Sequence, residues 1–391
     1  MLSTRSLYLL GRAGATFVSL ALALEYSREL GAVNRSAVAI VMTTNALLWI
    51  AITSGATLTL RKIGLNNISK ALFSSFLSSI LFQYLIIALS FIGVLLAYSN
   101  TKNILPLNLL LISLVYLTTS GFHLILMELL VSSHGFRTAA ALEVATVVTQ
   151  VCLYFSFKSI LDLSTASGLL LTFSLSYVLI GILVLLRIHT HLQGKWGIGN
   201  PKSFLLESRH NYILGASLGI MDRVDRILIG FLLATPLLGI YAVSASLVAL
   251  LRFIPDAVSK LVLARKATLK SLYNLPVTLV GAMVFLFSAA LVVASREIVR
   301  FWFGPEWVLG FVIYFSVATQ EVFRGSYQIL ANKIILKGKS KQVNKTAIYL
   351  PLIGISLSLV FTKEVGLAGT PIAFAVAYVI GIFLLAKEYH E

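Results

Sequence analysis

The stretch Met221–Gly230, MDRVDRILIG, sets Asp222, Arg223, Asp225 and Arg226 inside a segment from about Arg209 to Leu233 that is otherwise apolar and long enough to cross a bilayer. Each charge near the middle of a lipid-facing helix costs ~2.5–3.5 kcal/mol, so this cluster would oppose insertion by roughly 10 kcal/mol if it met lipid. The segment must therefore turn its charges toward protein or water. On a helix, Asp222, Arg223, Asp225 and Arg226 share a sector of roughly 160° with Tyr212, Gly215, Gly219 and Gly230. Ile213, Ala216, Ile220, Met221, Val224, Ile227 and Leu228 fall on the other side, which is expected to meet lipid. Asp222 and Arg226 stand in the favourable acid-first i,i+4 order. They suit either a self-neutralising pair that joins helices or the charged lining of a transport pathway.

The rest of the chain agrees with a bilayer as its solvent. Of its 391 residues, 58% are hydrophobic and only 12% charged, with a mean hydropathy of +0.92, whereas soluble domains are ~45–50% apolar and ~25% charged. The class is a polytopic, all-α membrane protein. The net charge of +16 reads as topology: most Lys and Arg fall in one set of loops. Clusters such as Arg61, Lys62 and Lys70, then Arg265, Lys266 and Lys270, then Lys333, Lys337, Lys339, Lys341 and Lys345 mark that side as cytoplasmic, with both termini there. Nucleic acid is not an expected partner. The lone Cys152 can form no intrachain disulfide and is read as a small buried hydrophobe.

About twelve spans are expected. Span one (about Ser6 to Leu24) carries Arg12 on a stripe with Tyr8, Thr16, Ser19 and Tyr26. Span two (about Arg35 to Thr57) holds Thr43, Thr44, Asn45 and Trp49, suited equally to a cavity wall and to interhelical hydrogen bonds. Span four ends with His123 and Glu128, and His123 reads as a satisfied interfacial residue. Span five sets Glu143, Gln150 and Tyr154 on one side, and span six is almost wholly apolar. In span eight Arg252, Asp256 and Lys260 share a face, and Pro255 should kink it. Span ten carries Gln320, Glu321, Arg324 and Gln328 within a ~100° arc. The longest polar stretch lies between spans six and seven, so the expected domains are a six-helix lobe over 1–190, a cytoplasmic linker over 191–208 and a second six-helix lobe over 209–391. Two lobes of even span number have the same orientation, the plan of rocking transporters with a central cleft.

No Walker motif, H-E-x-x-H, Cys/His metal spacing or nucleophile elbow is present, and the loops on the outer side are too short for a catalytic domain. The expectation is a protein that is not an enzyme and carries no cofactor. Within the spans, Arg12, Arg223, Arg226, Arg252, Lys260 and Arg324 are set against Glu128, Glu143, Asp222, Asp225, Asp256 and Glu321. A desolvated carboxylate can take up a proton, whereas Arg stays charged and its fork matches phosphate oxygens. An Arg-lined cleft suits a phosphate-bearing substrate. The candidate substrate-binding residues are Arg12, Asn45, Arg223, Arg226, Arg252 and Arg324, and the candidate ion-coupling residues are Asp222, Asp225, Asp256 and Glu321.

The segment LGIMDRVDRILIGFLLATPLLGIYAVSASLVALLRFIPDAV, with FGPEW, ILANKIILKGKSK and VGLAGTPIAFAVAYVIG in that order, resembles the lipid-linked polysaccharide-unit flippases, O-antigen type, of the multidrug/oligosaccharidyl-lipid/polysaccharide exporter (MOP) superfamily. The resemblance implies twelve spans and a cationic central cavity in the bacterial cytoplasmic (inner) membrane. It also implies, as substrate, an undecaprenyl-pyrophosphate-linked oligosaccharide moved between leaflets, with membrane lipids and a polysaccharide polymerase as partners. A cation/drug antiporter of the same superfamily would show acids without matching Arg. A membrane glycan polymerase or ligase would need a large outer loop.

Overall fold

The computed structural model describes residues 4–63, 70–102, 107–132, 136–158, 165–189, 201–252, 277–336 and 339–390. Among them no strand occurs; the described chain is all-α. Its helices are α1 (Thr4–Ile63), α2 (Lys70–Lys102), α3 (Leu107–Ser132), α4 (Phe136–Phe157), α5 (Ala166–His189), α6 (Pro201–Leu232), α7 (Thr235–Val248), α8 (Val277–Phe303), α9 (Phe311–Leu336), α10 (Ser340–Val365) and α11 (Gly369–His390).

Expected spans one and two are the two arms of α1. The helix is interrupted only at Gly31, whose φ of +69° and ψ of 170° lie in a region that side chains disfavour. Arg35 then places its guanidinium carbon 5.3 Å from the Tyr26 ring centre, although continuous helix would separate these residues by ~13.5 Å along its axis. The helix kinks at this one residue, and the cation lies over the aromatic face.

Among the described residues, stretches long and apolar enough to cross a membrane are Ser74–Lys102, Asn108–Met127, Thr138–Phe157, Ala166–His189 and Gln342–Lys387, the last taking in α10 and α11. Their outward residues are what lipid requires: Leu81, Leu85 and Leu89 stand exposed at four-residue spacing on α2, and Leu175, Leu179 and Leu183 do so on α5. This is a multi-pass membrane protein. Cys152 is exposed, against the expectation of burial. Where the outer surface meets hydrocarbon, a small apolar thiol is as well placed outside as in.

The chain packs as two compact units, Met1–Arg223 and Val224–Glu391, so the division falls within α6 and inside MDRVDRILIG. In the first unit α3 lies against α5 and α1 against α4. Trp49 illustrates the packing: it is buried, its Nε1 donates to the Leu117 carbonyl at 2.8 Å, and its ring covers Gly121 so closely that a Cβ there would come within 1.8 Å of it. In the second unit α11 packs against both α9 and α10. Thr370 joins α11 to α10 through hydroxyl contacts with Ser358 at 3.1 Å and Thr362 at 2.6 Å. Such bonds satisfy polar groups that lipid could not.

Candidate functional site

The polar faces read from spans one and five come together in the first unit. Thr16 and Ser19 of α1, Glu143 and Gln150 of α4, His123 of α3 and Tyr177 of α5 line an open cavity of about 390 Å³. Thr146, one turn from Glu143, bridges to His123 with 3.5 Å between Oγ1 and Nε2. The His123 ring lies 5.0 Å from that of Tyr177. Its Nδ1 is buried and has no hydrogen-bond partner among the described residues, so His123 is a wall of the cavity, contrary to its reading as a satisfied interfacial residue. Tyr177 was missed because span six offers so few polar side chains that no stripe forms. Tyr177 hydrogen-bonds Gln150 and shares a second bond with Tyr116 of α3, whose hydroxyl in turn feels the charge of Arg223.

The second unit buries the other half of that stretch. Asp225 is 4% exposed, and its Oδ2 accepts the Tyr241 hydroxyl of α7 at 3.0 Å. The two helices meet because only Leu233 and Ala234 separate them, with Pro236 in the first turn of α7 where its missing N–H costs nothing. The charges of Arg226 and Glu321 also act on the Tyr241 hydroxyl. Glu321 and Arg324 are both buried on α9 with 3.8 Å between their charged atoms. Gln320 is 1% exposed, and neither of its amide atoms has a hydrogen-bond partner among the described residues; Arg226 Nε and Asp225 Oδ1 are in the same position. The arc drawn on span ten is therefore interior. Unmet polar groups of this kind call for water or a ligand, because each costs ~1–3 kcal/mol if left so.

The remaining candidates are placed as follows. Asp222 and Arg223 are half-buried on α6 and engaged with neighbours. Asn45 is buried and donates to Ser120 of α3 at 2.8 Å, an interhelical bond within the first unit. Arg12 lies in α1 and Arg252 in the short 3-10 turn Ala249–Arg252, but their side chains, with that of Glu128, lie outside the described residues. So do Asp256, Lys260 and the kink expected at Pro255. Met221 and Val224, expected to face lipid, are buried: protein covers both sides of α6 here, and an apolar face cannot tell a protein neighbour from a lipid one. A polar cluster also joins α1 to the end of α4. The Lys158 ammonium contacts the Glu29 carboxylate and lies 3.9 Å from Glu25, while Tyr154 donates to Glu29 at 2.7 Å.

No family model and no curated protein matches the sequence. Solved structures do. The chain is similar over 98% of its length to the lipid II flippase MurJ in an inward closed conformation, covering 87% of that chain with a TM-score of 0.73 and 16% identity. It is similar over 98% of its length to a multidrug resistance MATE family transporter of the MOP superfamily in an inward-facing conformation, covering 98% of that chain with a TM-score of 0.65 and 12% identity. A Vibrio cholerae MATE transporter matches over 99% of this chain and 94% of its own, with a TM-score of 0.62 and 14% identity. What is shared at such identities is the architecture: this chain has the all-α fold of the MOP superfamily transporters.

Proposed function

We propose that the chain is a flippase that moves an undecaprenyl-pyrophosphate-linked oligosaccharide unit, of the kind from which O-antigen is built, across the bacterial inner membrane by alternating access. Both termini lie in the cytoplasm in this reading, and a polysaccharide polymerase receives the product. The fold serves flippases and drug transporters alike, so it does not choose between them. The observation that carries the choice is the arginine content of the interior: Arg324 is 7% exposed, and Arg226 holds a buried Nε without a hydrogen-bond partner among the described residues. A buried guanidinium with an unused donor favours an anion, and pyrophosphate oxygens accept its fork in pairs. A cationic drug gains nothing from it.

Arg12, Asn45, Arg223, Arg226, Arg252 and Arg324 are the substrate-binding residues of this proposal. Asp222, Asp225, Asp256 and Glu321 are the ion-coupling residues of this proposal, since carboxylates within membrane spans are costly and mark ion pathways. The test is a double-mutant design. Arg226→Ala is expected to abolish translocation at near-normal abundance, and Arg226→Lys to restore it only in part, because an ammonium cannot reproduce two parallel bonds. Full rescue by Asp222→Asn with Arg226→Gln would reduce Arg226 to a neutralising partner and remove it from the site. Lipid analysis gives the activity readout: loss of function should leave the lipid-linked oligosaccharide in the inner leaflet.

A further inference from the structure

The cavity of the first unit differs in chemistry from the arginine-bearing α6 and α9. Among the described lining residues none is Lys or Arg, and Glu143 carries the one formal charge. These described walls offer a pyrophosphate no cation. Its walls instead offer acceptors and donors in mixture: a carboxylate that only accepts, the Gln150 amide that does both, the hydroxyls of Thr16 and Ser19, and an imidazole whose buried Nδ1 has no partner among the described residues. The His123 and Tyr177 rings, 5.0 Å apart, add an aromatic wall. At about 390 Å³ the space falls within the ~300–1,000 Å³ typical of small-molecule sites.

We propose that this cavity, walled by α1, α3, α4 and α5, binds a neutral sugar ring of the lipid-linked substrate, with Glu143 and Gln150 taking its hydroxyls. Each sugar hydroxyl both donates and accepts, so it is held best where both kinds of partner stand a few ångströms apart. Glu143 and Gln150 meet that need from one face of α4, two turns apart. The apolar face of a pyranose lies against aromatic rings for the same reason that other apolar surface does. Gln150 is positioned by its hydrogen bond with Tyr177, which Tyr116 braces from α3. The cavity thus reads the sugar, and selectivity among repeat units resides in the first unit.

This assignment rests on the flippase reading, and the experiment separates the two. The full-length protein in nanodiscs is titrated with undecaprenyl-pyrophosphate-linked oligosaccharide extracted from cells lacking this protein, and in parallel with bare undecaprenyl pyrophosphate. Wild-type protein is expected to bind the glycosylated lipid about tenfold more tightly. Glu143→Gln and Gln150→Ala should each remove most of that preference while leaving affinity for the bare lipid unchanged, which also shows that the variants are folded. A preference that survives both substitutions, or an equal weakening of both lipids, would overturn the sugar assignment and leave the flippase reading standing. Failure of wild-type protein to bind either lipid would bring down both. Binding of tetraphenylphosphonium that competes with the glycosylated lipid and is lost in Glu143→Gln would assign the cavity to organic cations instead.

Discussion

The hydroxyl of Tyr241 stands 3.0 Å from Oδ2 of Asp225, both residues buried. It is the described hydrogen bond on a carboxylate whose other oxygen has none among the described residues. Tyr241→Phe should therefore cost ~1–3 kcal/mol, the range for stranding a buried acceptor. Thermal unfolding of purified protein in detergent checks it. A melting temperature equal to wild type would mean that water already serves Asp225.

Acid should loosen the contact between α1 and the end of α4. Burial alone would raise the Glu29 carboxyl, but hydrogen bonds from Lys158 and Tyr154 and the charges of Lys158 and Arg28 outweigh it and hold the group below its ordinary value. Lys158, hydrogen-bonded to Glu29, is held above its own. The Glu29 contribution is accordingly complete above the ordinary carboxylate range and is lost as pH falls through the lowered value. The Lys158 contribution is complete below the ordinary lysine range and is lost as pH rises through the raised value. Both groups are partly exposed, so the effect is under ~1 kcal/mol. Melting curves from neutral to acidic pH should flatten in Glu29→Gln relative to wild type.

Gly121 has no room for a side chain. Gly121→Ala forces the Trp49 indole away from its bond to Leu117 and is expected to cost ~1–3 kcal/mol, as overpacked cores do. Gly93 is the control: it lies in α2 with nothing within 4 Å of a Cβ, and Gly93→Ala should be neutral or stabilising by up to ~1 kcal/mol. Abundance in membranes and melting temperature report both.

Orientation is open to chemical labelling. In a Cys152→Ser background, Glu306→Cys, in the short turn after α8, should react with an impermeant maleimide in intact cells. Lys339→Cys, just before α10, should react only after the membrane is opened. The reverse pattern would invert the proposed topology.

Much of the helical framework is legible in the sequence because each expected span coincides, in whole or in part, with a described helix or an arm of α1. The stripes were legible as well: Thr16 with Ser19, Glu143 with Gln150, and Gln320 with Glu321 and Arg324 each point inward in the described structure. Periodicity reports which side of a helix is polar but not which helix it meets, so the meeting of the α1 and α4 stripes had to come from the structure. It fails altogether for a lone polar residue, and Tyr177 was invisible for that reason. It also fails for apolar faces. Met221, Val224 and Cys152 were all assigned to the wrong surroundings, because a bilayer makes the outside of a helix bundle as greasy as its core and erases the contrast on which burial is read in soluble proteins.

The break at Gly31 bears on how the protein is made. Since one residue separates the arms of α1, no tether exists that could let the second arm wait while the first finds its place. The two arms are thus expected to enter the membrane as one kinked unit, joined across the break by Arg35 over Tyr26. Any residue there with a side chain would oppose the kink at the moment of insertion, so its defect should appear during biogenesis, as protein that never reaches the bilayer.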